Sequence, residues 1–155
     1  RSEAVSWARD VYKRQDKNKL NIKTAVADAE NLPFSNESFN CITIGFGIRN
    51  VTNKEIALKD FHRCLKPGGR LLVLEFSKPE MPVISDLYDF YSFKILPKLG
   101  QFFAQDGDSY KYLAESIRMH PSQEKFKEML EAANFKKVSY DTMTAGIVTL
   151  HIAEK

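Results

Sequence analysis

Polar side chains follow three apolar segments of this 155-residue chain, near the point where each segment ends. Asp28 follows the first segment, Arg49 and Asn50 lie on the loop after the second, and Glu75 lies near the end of the third. If the segments are strands of an open parallel sheet, a ligand should bind beyond their carboxyl ends. There Asp28 can accept a hydrogen bond from an amine donor, although an isolated Asp is also typical of an Asx turn or a helix cap. Arg49 and Asn50 are equally typical of a solvated loop, and Glu75 could close the rim of the sheet, so we assign Glu75 no role.

Short apolar and β-branched runs predict the strands that position these residues. The runs span residues 22–27, 40–46 and 70–76. Between the second and the third, apolar residues at helical spacing predict a helix that begins at a capping box over 52–55 and ends at the 66–69 turn. Because that turn ends a helix instead of opening one, we interpret it as structural and not as a phosphate cradle. Strand, helix and strand in this order predict a right-handed crossover in a parallel sheet.

The last third of the chain predicts two helices and a hairpin. Helical patterns cover residues 109–119 and 122–133, and strand patterns cover 136–142 and 147–153. The link at 143–146 is too short for a crossover, so these two strands should be antiparallel. The fold class is therefore α/β.

Composition limits the classes of function. The 23 Lys and Arg residues exceed the 20 Asp and Glu residues by only 3, which argues against binding of nucleic acid driven by charge. With 43% hydrophobic and 28% charged residues, the chain should form one domain over 1–155, in which the polar stretch 1–18 is non-native or poorly ordered. Cys41 and Cys64 lack the spacing of a zinc or redox motif, so we expect two buried thiols and no metal. Reduced thiols, no signal-peptide pattern and no apolar run long enough to span a bilayer favour a cytoplasmic location.

Three motifs carry a resemblance to a known family. They are Asp28-Ala-Glu-Asn-Leu-Pro-Phe34, Gly45-Phe-Gly-Ile-Arg-Asn50 and the 63–77 segment with its Lys-Pro-Gly-Gly-Arg-Leu and Leu-Glu-Phe-Ser sequences. The chain resembles the class I S-adenosylmethionine methyltransferases and, more narrowly, the ubiquinone and menaquinone biosynthesis C-methyltransferases of the UbiE family. The resemblance continues through 108–121 and 144–146. It implies a Rossmann-like, mostly parallel sheet with a C-terminal antiparallel hairpin, incomplete at its N-terminal side.

The same resemblance implies roles for five residues. Asp28 would bind the exocyclic amine of the cofactor's adenine, and Ala29 would offer its main-chain N–H to the ring. Gly45 stands where the family usually has a serine that touches the cofactor, so only a main-chain contact is expected there. Arg49 would stabilise phenolate charge near the transferred methyl group. Asn50 would hydrogen-bond a quinol oxygen or merely begin a turn.

Two further residues, Arg118 and His120, are candidates for the substrate side of the site. For His120, a general base and a loop or capping residue are both reasonable interpretations. Residues 87–103 carry more apolar side chains than one buried helix face needs. This stretch could line a channel for a prenyl tail, contact another copy of the chain or a quinone enzyme, or touch the surface of the inner membrane.

The activity implied is methyl transfer from S-adenosylmethionine to a ring carbon of a polyprenyl benzoquinol or naphthoquinol. One rival is a nucleic-acid methyltransferase, which is disfavoured because no Asn-Pro-Pro-Tyr motif follows the second strand. Other rivals are a noncatalytic scaffold in a quinone biosynthetic assembly and a methyltransferase of another small molecule. Neither a glycine-rich turn nor a ribose-binding acid precedes Ile22, so the chain alone is expected to be inactive.

Overall fold

A four-stranded sheet organises the described part of the chain, with strands in the order β1-β2-β4-β3. The computed structural model describes residues 25–79 and 107–155. In chain order the elements are β1 (Phe39–Gly45), α1 (Lys54–Cys64), β2 (Leu65–Phe76), α2 (Gly107–Met119), α3 (Gln123–Ala132), β3 (Lys136–Met143) and β4 (Val148–Glu154). The predicted helices 109–119 and 122–133 are therefore confirmed with small changes at their ends.

The connections explain the directions of the strands. β1 and β2 are parallel and are joined through α1, whereas β4 is antiparallel to both β2 and β3. The predicted crossover and the C-terminal hairpin are confirmed. Within the described residues the sheet is mixed, with one parallel pairing and two antiparallel pairings.

The N-terminal cap of helix α1 lies one residue later than predicted. The side chain of Asn53, not that of Thr52, accepts the hydrogen bond from the main-chain N–H of Ile56, at 3.1 Å. Strand β2 in turn begins earlier than predicted, so that the 66–69 turn lies inside it. Gly68 has φ 73°, and a Cβ on Gly69 would lie 2.8 Å from the carbonyl oxygen of Lys66. Both glycines are therefore required by the backbone, which supports the structural interpretation of this turn.

The core lies between the sheet and helices α1 and α3. Its fully buried side chains come from one face of each element, and they include Leu58, Leu71, Val73, Phe126 and Leu130. Because alternate residues of a strand share a face, the core face of β2 runs through Leu71 and Val73 to Glu75 and Ser77. All four are buried, so a carboxylate continues the apolar stripe of this strand.

Two sequence predictions were wrong. Residues 25–27 do not form a strand, and Val26 is 86% exposed. A strand needs a hydrogen-bonded neighbour, and no described strand pairs with the outer edge of β1. Cys41 is exposed on that edge strand, so of the two thiols expected to be buried only Cys64 is.

Other predictions fall outside the described residues, namely those for 1–18, 22–24 and the apolar stretch 87–103. In the described part of the chain, no helix is long and apolar enough to cross a membrane.

Candidate functional site

Arg49 lies on a single 3-10 turn, Ile48–Asn50, just beyond the carboxyl end of β1. Ile48 is fully buried and anchors the turn in the core. The turn is entered through Phe46, which has φ 54°, and the main-chain N–H of Phe46 donates to the Leu74 carbonyl of β2 at 2.8 Å. The arginine is thereby held next to the end of β2.

Glu75 accepts hydrogen bonds from both the main chain and the side chain of Arg49. Its Oε1 accepts from Arg49 Nη1 at 2.7 Å, and its Oε2 accepts from the main-chain N–H of Arg49 at 3.1 Å. Nη1 also donates to the Phe46 carbonyl at 2.6 Å, and the guanidinium carbon lies 5.5 Å from the centre of the Phe76 ring. The side chains of Arg49 and Glu75 are only 11% and 3% exposed. This is a largely desolvated, charge-assisted pair that fixes the orientation of the guanidinium.

Sequence reasoning missed the role of Glu75. A signal was present, because Glu75 is a lone carboxylate in an apolar strand and falls on the same alternating face as Leu71 and Val73. A charge on that face must find a partner when it is buried. The partner comes from a loop 26 residues earlier, which periodicity does not identify.

Helix α2 places Tyr112 and Ser116 along the Arg49 turn, four residues apart. The hydroxyl of Tyr112 donates to Asn50 Oδ1 at 3.2 Å, and Arg49 Nε donates to Ser116 Oγ at 3.3 Å. His120 follows, and its main-chain N–H still donates to the Ser116 carbonyl at 3.1 Å, so it continues the helical turn. Residues four apart lie on one face of a helix, and this face meets the turn.

His120 is buried against Phe126, at 5.3 Å between ring centres. Burial lowers the pKa of His120 to about 4, and the positive charges of Lys54 and Arg49 act in the same direction. The imidazole is therefore neutral at pH 7. Its Nδ1 is buried without a hydrogen-bond partner among the described residues. Arg118, on the same helix, is exposed.

Asp28 lies on an exposed loop that the sequence motif correctly located. Its Oδ1 accepts from the main-chain N–H of Glu30 at 3.0 Å, which is an Asx turn. Glu30 in turn accepts from the main-chain N–H of Asn53 at 2.7 Å, and Leu32 donates its main-chain N–H to Asp60 at 2.8 Å. The loop is thus tied to helix α1 at two points. Asp28 therefore stabilises the loop through Oδ1. Its other carboxylate oxygen, Oδ2, has no partner among the described residues.

An apolar cavity of about 660 Å³ lies between this loop and β1. Ala29 and Ile44 line it from the two sides, together with Gly47 from the Arg49 turn. At Gly45 a Cβ would meet no atom of the described residues within 4 Å. The end of β1 therefore leaves open space for close approach of a ligand to the backbone.

The chain matches the model of the ubiE/COQ5 methyltransferase family over residues 5–155. It belongs to that family. Similar proteins include the ubiquinone/menaquinone biosynthesis C-methyltransferase UbiE of Idiomarina loihiensis, which is 60% identical over 131 residues, and that of Klebsiella pneumoniae strain 342, which is 61% identical over 131 residues. Both alignments cover 84% of this chain and 52% of the relative, so the chain spans about half the length of these relatives.

Solved structures confirm the Rossmann-like methyltransferase fold for this family member. A SAM-dependent methyltransferase from Aquifex aeolicus has a TM-score of 0.64 at 16% identity, over 99% of this chain and 64% of the other. One from Thermotoga maritima has a TM-score of 0.63 at 20% identity, over 89% and 66%.

In this ubiE/COQ5 family chain, the sequence-predicted site residues fall into two groups. Arg49 and Asn50 meet helix α2, which carries Arg118 and is followed by His120. Asp28 and Ala29 lie on the loop beside the apolar cavity, and Gly45 is the last residue of β1. The described ranges contain no cluster of His, Cys, Asp and Glu suited to a metal ion.

Proposed function

We propose that this chain carries the substrate-side part of an S-adenosylmethionine-dependent enzyme that methylates a ring carbon of a prenylated benzoquinol or naphthoquinol. The observation that supports it most is Arg49. Three of its donors are fixed by Glu75, Phe46 and Ser116, while Nη2 has no partner within residues 25–79 and 107–155. An arginine held this way beyond the end of a parallel strand is preorganised for an anionic oxygen. The names of the UbiE relatives state the same chemistry.

The described residues fit the adenine end of this cofactor. Asp28 keeps one carboxylate oxygen for an amine donor, and Ala29 lines an apolar cavity beside it. Gly45 leaves room for main-chain contact. When bound, S-adenosylmethionine supplies an electrophilic methyl group on a positively charged sulfur. We propose that these three residues orient it toward the Arg49 turn.

Arg49 would act on a quinol oxygen through Nη2. A guanidinium favours the phenolate over the phenol, which makes the neighbouring ring carbon nucleophilic near neutral pH. The methyl group that this carbon accepts would come from the cofactor held by Asp28, Ala29 and Gly45, and the displaced ring proton would pass to water, so that the oxygen regains its negative charge. Arg49 stabilises the charge that returns to the oxygen.

Asn50 would hold the same oxygen or its neighbour. Its Oδ1 accepts from the hydroxyl of Tyr112, so its Nδ2 is the group left to donate to the substrate. Helix α2 thereby orients the amide for a quinol oxygen.

The surrounding charges favour an anion. Burial lowers the pKa of Lys54, while the negative charge of Glu75 partly opposes this shift. Two basic side chains, Arg49 and Lys54, thus lie near one carboxylate, Glu75, while the imidazole of His120 is neutral at pH 7. A phenolate would be the second anion of this group.

His120 and Arg118 remain on the substrate side of the proposal. An unpaired buried nitrogen costs about 1–3 kcal/mol, which a ligand hydroxyl that donates to His120 Nδ1 would recover. We place Arg118, which is exposed, at the rim, on the strength of the Arg118-Met-His-Pro121 motif.

The test uses a completed protein, in which the amino-terminal part of the Klebsiella pneumoniae relative precedes this sequence. It is incubated with S-adenosylmethionine and a short-chain prenyl quinol, and the product is analysed by mass spectrometry. We expect one methyl group on a ring carbon. A completed protein that binds S-adenosylmethionine and methylates no quinol would show a noncatalytic scaffold instead.

A further inference from the structure

The geometry points to Glu75 as a positioning residue that acts through Arg49, a role that rests on the proposed function. Glu75 is 2% exposed, and burial of a carboxylate is unfavourable unless it is paired and hydrogen-bonded. Both of its oxygens are used. Oε1 accepts from Arg49 Nη1 and from the main-chain N–H of Phe76, at 2.7 and 2.9 Å, and Oε2 accepts from the main-chain N–H of Arg49.

Glu75 therefore fixes both the position of the Arg49 turn and the rotation of the guanidinium. The contact of Oε2 fixes the position of the turn, while the contact of Oε1 fixes the rotation of the guanidinium. The remaining partners of Arg49 among the described residues are neutral: the Phe46 carbonyl, the Ser116 hydroxyl and the Phe76 ring. Glu75 is therefore the anionic group in the described structure that decides where Nη2 points.

A glutamine cannot replace it. Its side chain has one acceptor oxygen, and its amide nitrogen would face an N–H donor of Arg49 in either orientation. Glu75→Gln should therefore release one end of Arg49 while changing the volume of the core very little. Since misplacement of a reacting group by about 1 Å costs up to about a hundredfold, we expect turnover to fall by about 10- to 100-fold. The affinity for S-adenosylmethionine should stay within about twofold, because Glu75 touches no residue that we place at the adenine end.

The matched control is Glu154→Gln. Glu154 accepts from Lys137 Nζ at the same 2.7 Å, but it lies on β4 opposite Arg70, near the middle of β2 and away from Glu75. The chemical change is identical, and turnover should be unaffected.

A double-mutant cycle separates positioning from a purely structural role. If Glu75 acts through Arg49, then adding Glu75→Gln to Arg49→Ala should lower turnover no further. If the loss of turnover in the double variant equals the product of the two single losses, the positioning role is overturned. Glu75→Asp keeps the charge but is one methylene shorter, so it should also lower turnover, and it replaces Glu75→Gln if that variant does not fold.

Nuclear magnetic resonance provides a readout that is independent of activity. The Nε–H signal of Arg49, assigned by its loss in Arg49→Ala, should be protected from solvent exchange in the completed wild-type protein and lose that protection in Glu75→Gln. Full protection together with wild-type turnover in Glu75→Gln overturns the inference. A wild-type protein that methylates no quinol overturns the proposed function instead, and the positioning role falls with it.

Discussion

Ser116 and Arg49 are 67 residues apart in the sequence, and a hydrogen bond of 3.3 Å from Arg49 Nε to Ser116 Oγ joins them. The same hydroxyl donates to the Leu113 carbonyl at 2.9 Å, which orients its oxygen toward the guanidinium. Helix α2 is thus connected to the turn after β1 through a residue pair that also carries the proposed chemistry.

Ser116→Ala should weaken the orientation of Arg49 without removing its charged partner. A neutral hydrogen bond contributes about 0.5–1.5 kcal/mol, so we expect turnover in the completed protein to fall by about two- to tenfold. Ser139→Ala on β3, an exposed serine away from the site, is the control and should have no effect. Steady-state methyl transfer measures both, and equal rates in Ser116→Ala and wild type would contradict a contribution from α2.

Asp28→Ala should weaken S-adenosylmethionine binding by about ten- to a hundredfold, since a charge-assisted hydrogen bond is worth about 1.5–3 kcal/mol. Asp28→Asn has one acceptor oxygen for two donors, so it can keep either the Asx turn to Glu30 or the contact with the amine, and it should cost no more than Asp28→Ala. Calorimetry compares S-adenosylmethionine with an analogue that lacks the exocyclic amine. If Asp28→Ala weakens the binding of both ligands equally, Asp28 stabilises only the Asx turn and does not contact the adenine amine.

Gly45→Ser should be tolerated and should strengthen cofactor binding. No atom of the described residues lies within 4 Å of the position that its Cβ would take, and the resemblance drawn from the sequence implies a serine there. One added hydrogen bond corresponds to a gain of up to about tenfold in affinity. Gly69→Ser is the contrasting variant, because its Cβ would lie 2.8 Å from the Lys66 carbonyl, and it should lower the Tm. A drop in Tm or in cofactor affinity for Gly45→Ser would contradict the prediction that the space beside Gly45 accommodates a side chain.

The stability of the completed protein should fall between pH 6.5 and pH 4. Burial lowers the pKa of His120 from 6.5 to about 4, so in this window the unfolded chain binds a proton that the folded chain does not. Stability therefore rises with pH by up to about 1.4 kcal/mol per unit, or about 3 kcal/mol over the window. Burial also lowers the pKa values of His62 and His151, which act in the same direction. Urea unfolding at several pH values should give a shallower dependence for His120→Gln, and an unchanged slope would contradict the buried neutral imidazole.

Much of this fold could be predicted from periodicity alone. β1, α1, β2 and the hairpin of β3 and β4 follow from alternating or helical apolar patterns, which report which face of a segment is buried. Residues 25–27 show the limit of that argument, because their apolar pattern is that of a strand but no described strand pairs with them. An apolar pattern identifies the face of a segment that is buried, but it does not show whether a neighbouring strand is present to hydrogen-bond with that segment.

The candidate site was predicted less completely. The Arg49 loop follows β1, as the pattern predicts, and the Asp28 loop follows an apolar run that is not a strand in the structure. The N-terminal cap of α1 is Asn53, one residue after the predicted Thr52. The pairing of Arg49 with Glu75 and with helix α2 depends on contacts between residues 26 to 67 positions apart. Such contacts are decided by how the elements pack, which no local pattern records.

The most direct test of the proposed function is the rate of methyl transfer by Arg49→Ala in the completed protein at saturating S-adenosylmethionine. Arg49→Lys accompanies it, because lysine keeps the positive charge that Glu75 needs but lacks the planar set of donors. Loss of a preorganised donor at an anionic oxygen typically costs about 10²- to 10³-fold in kcat, so we expect a fall of that size for Arg49→Ala and a smaller one for Arg49→Lys. Cofactor affinity should remain within about twofold of wild type in both. Wild-type kcat in a folded Arg49→Ala variant would contradict the proposed role of Arg49.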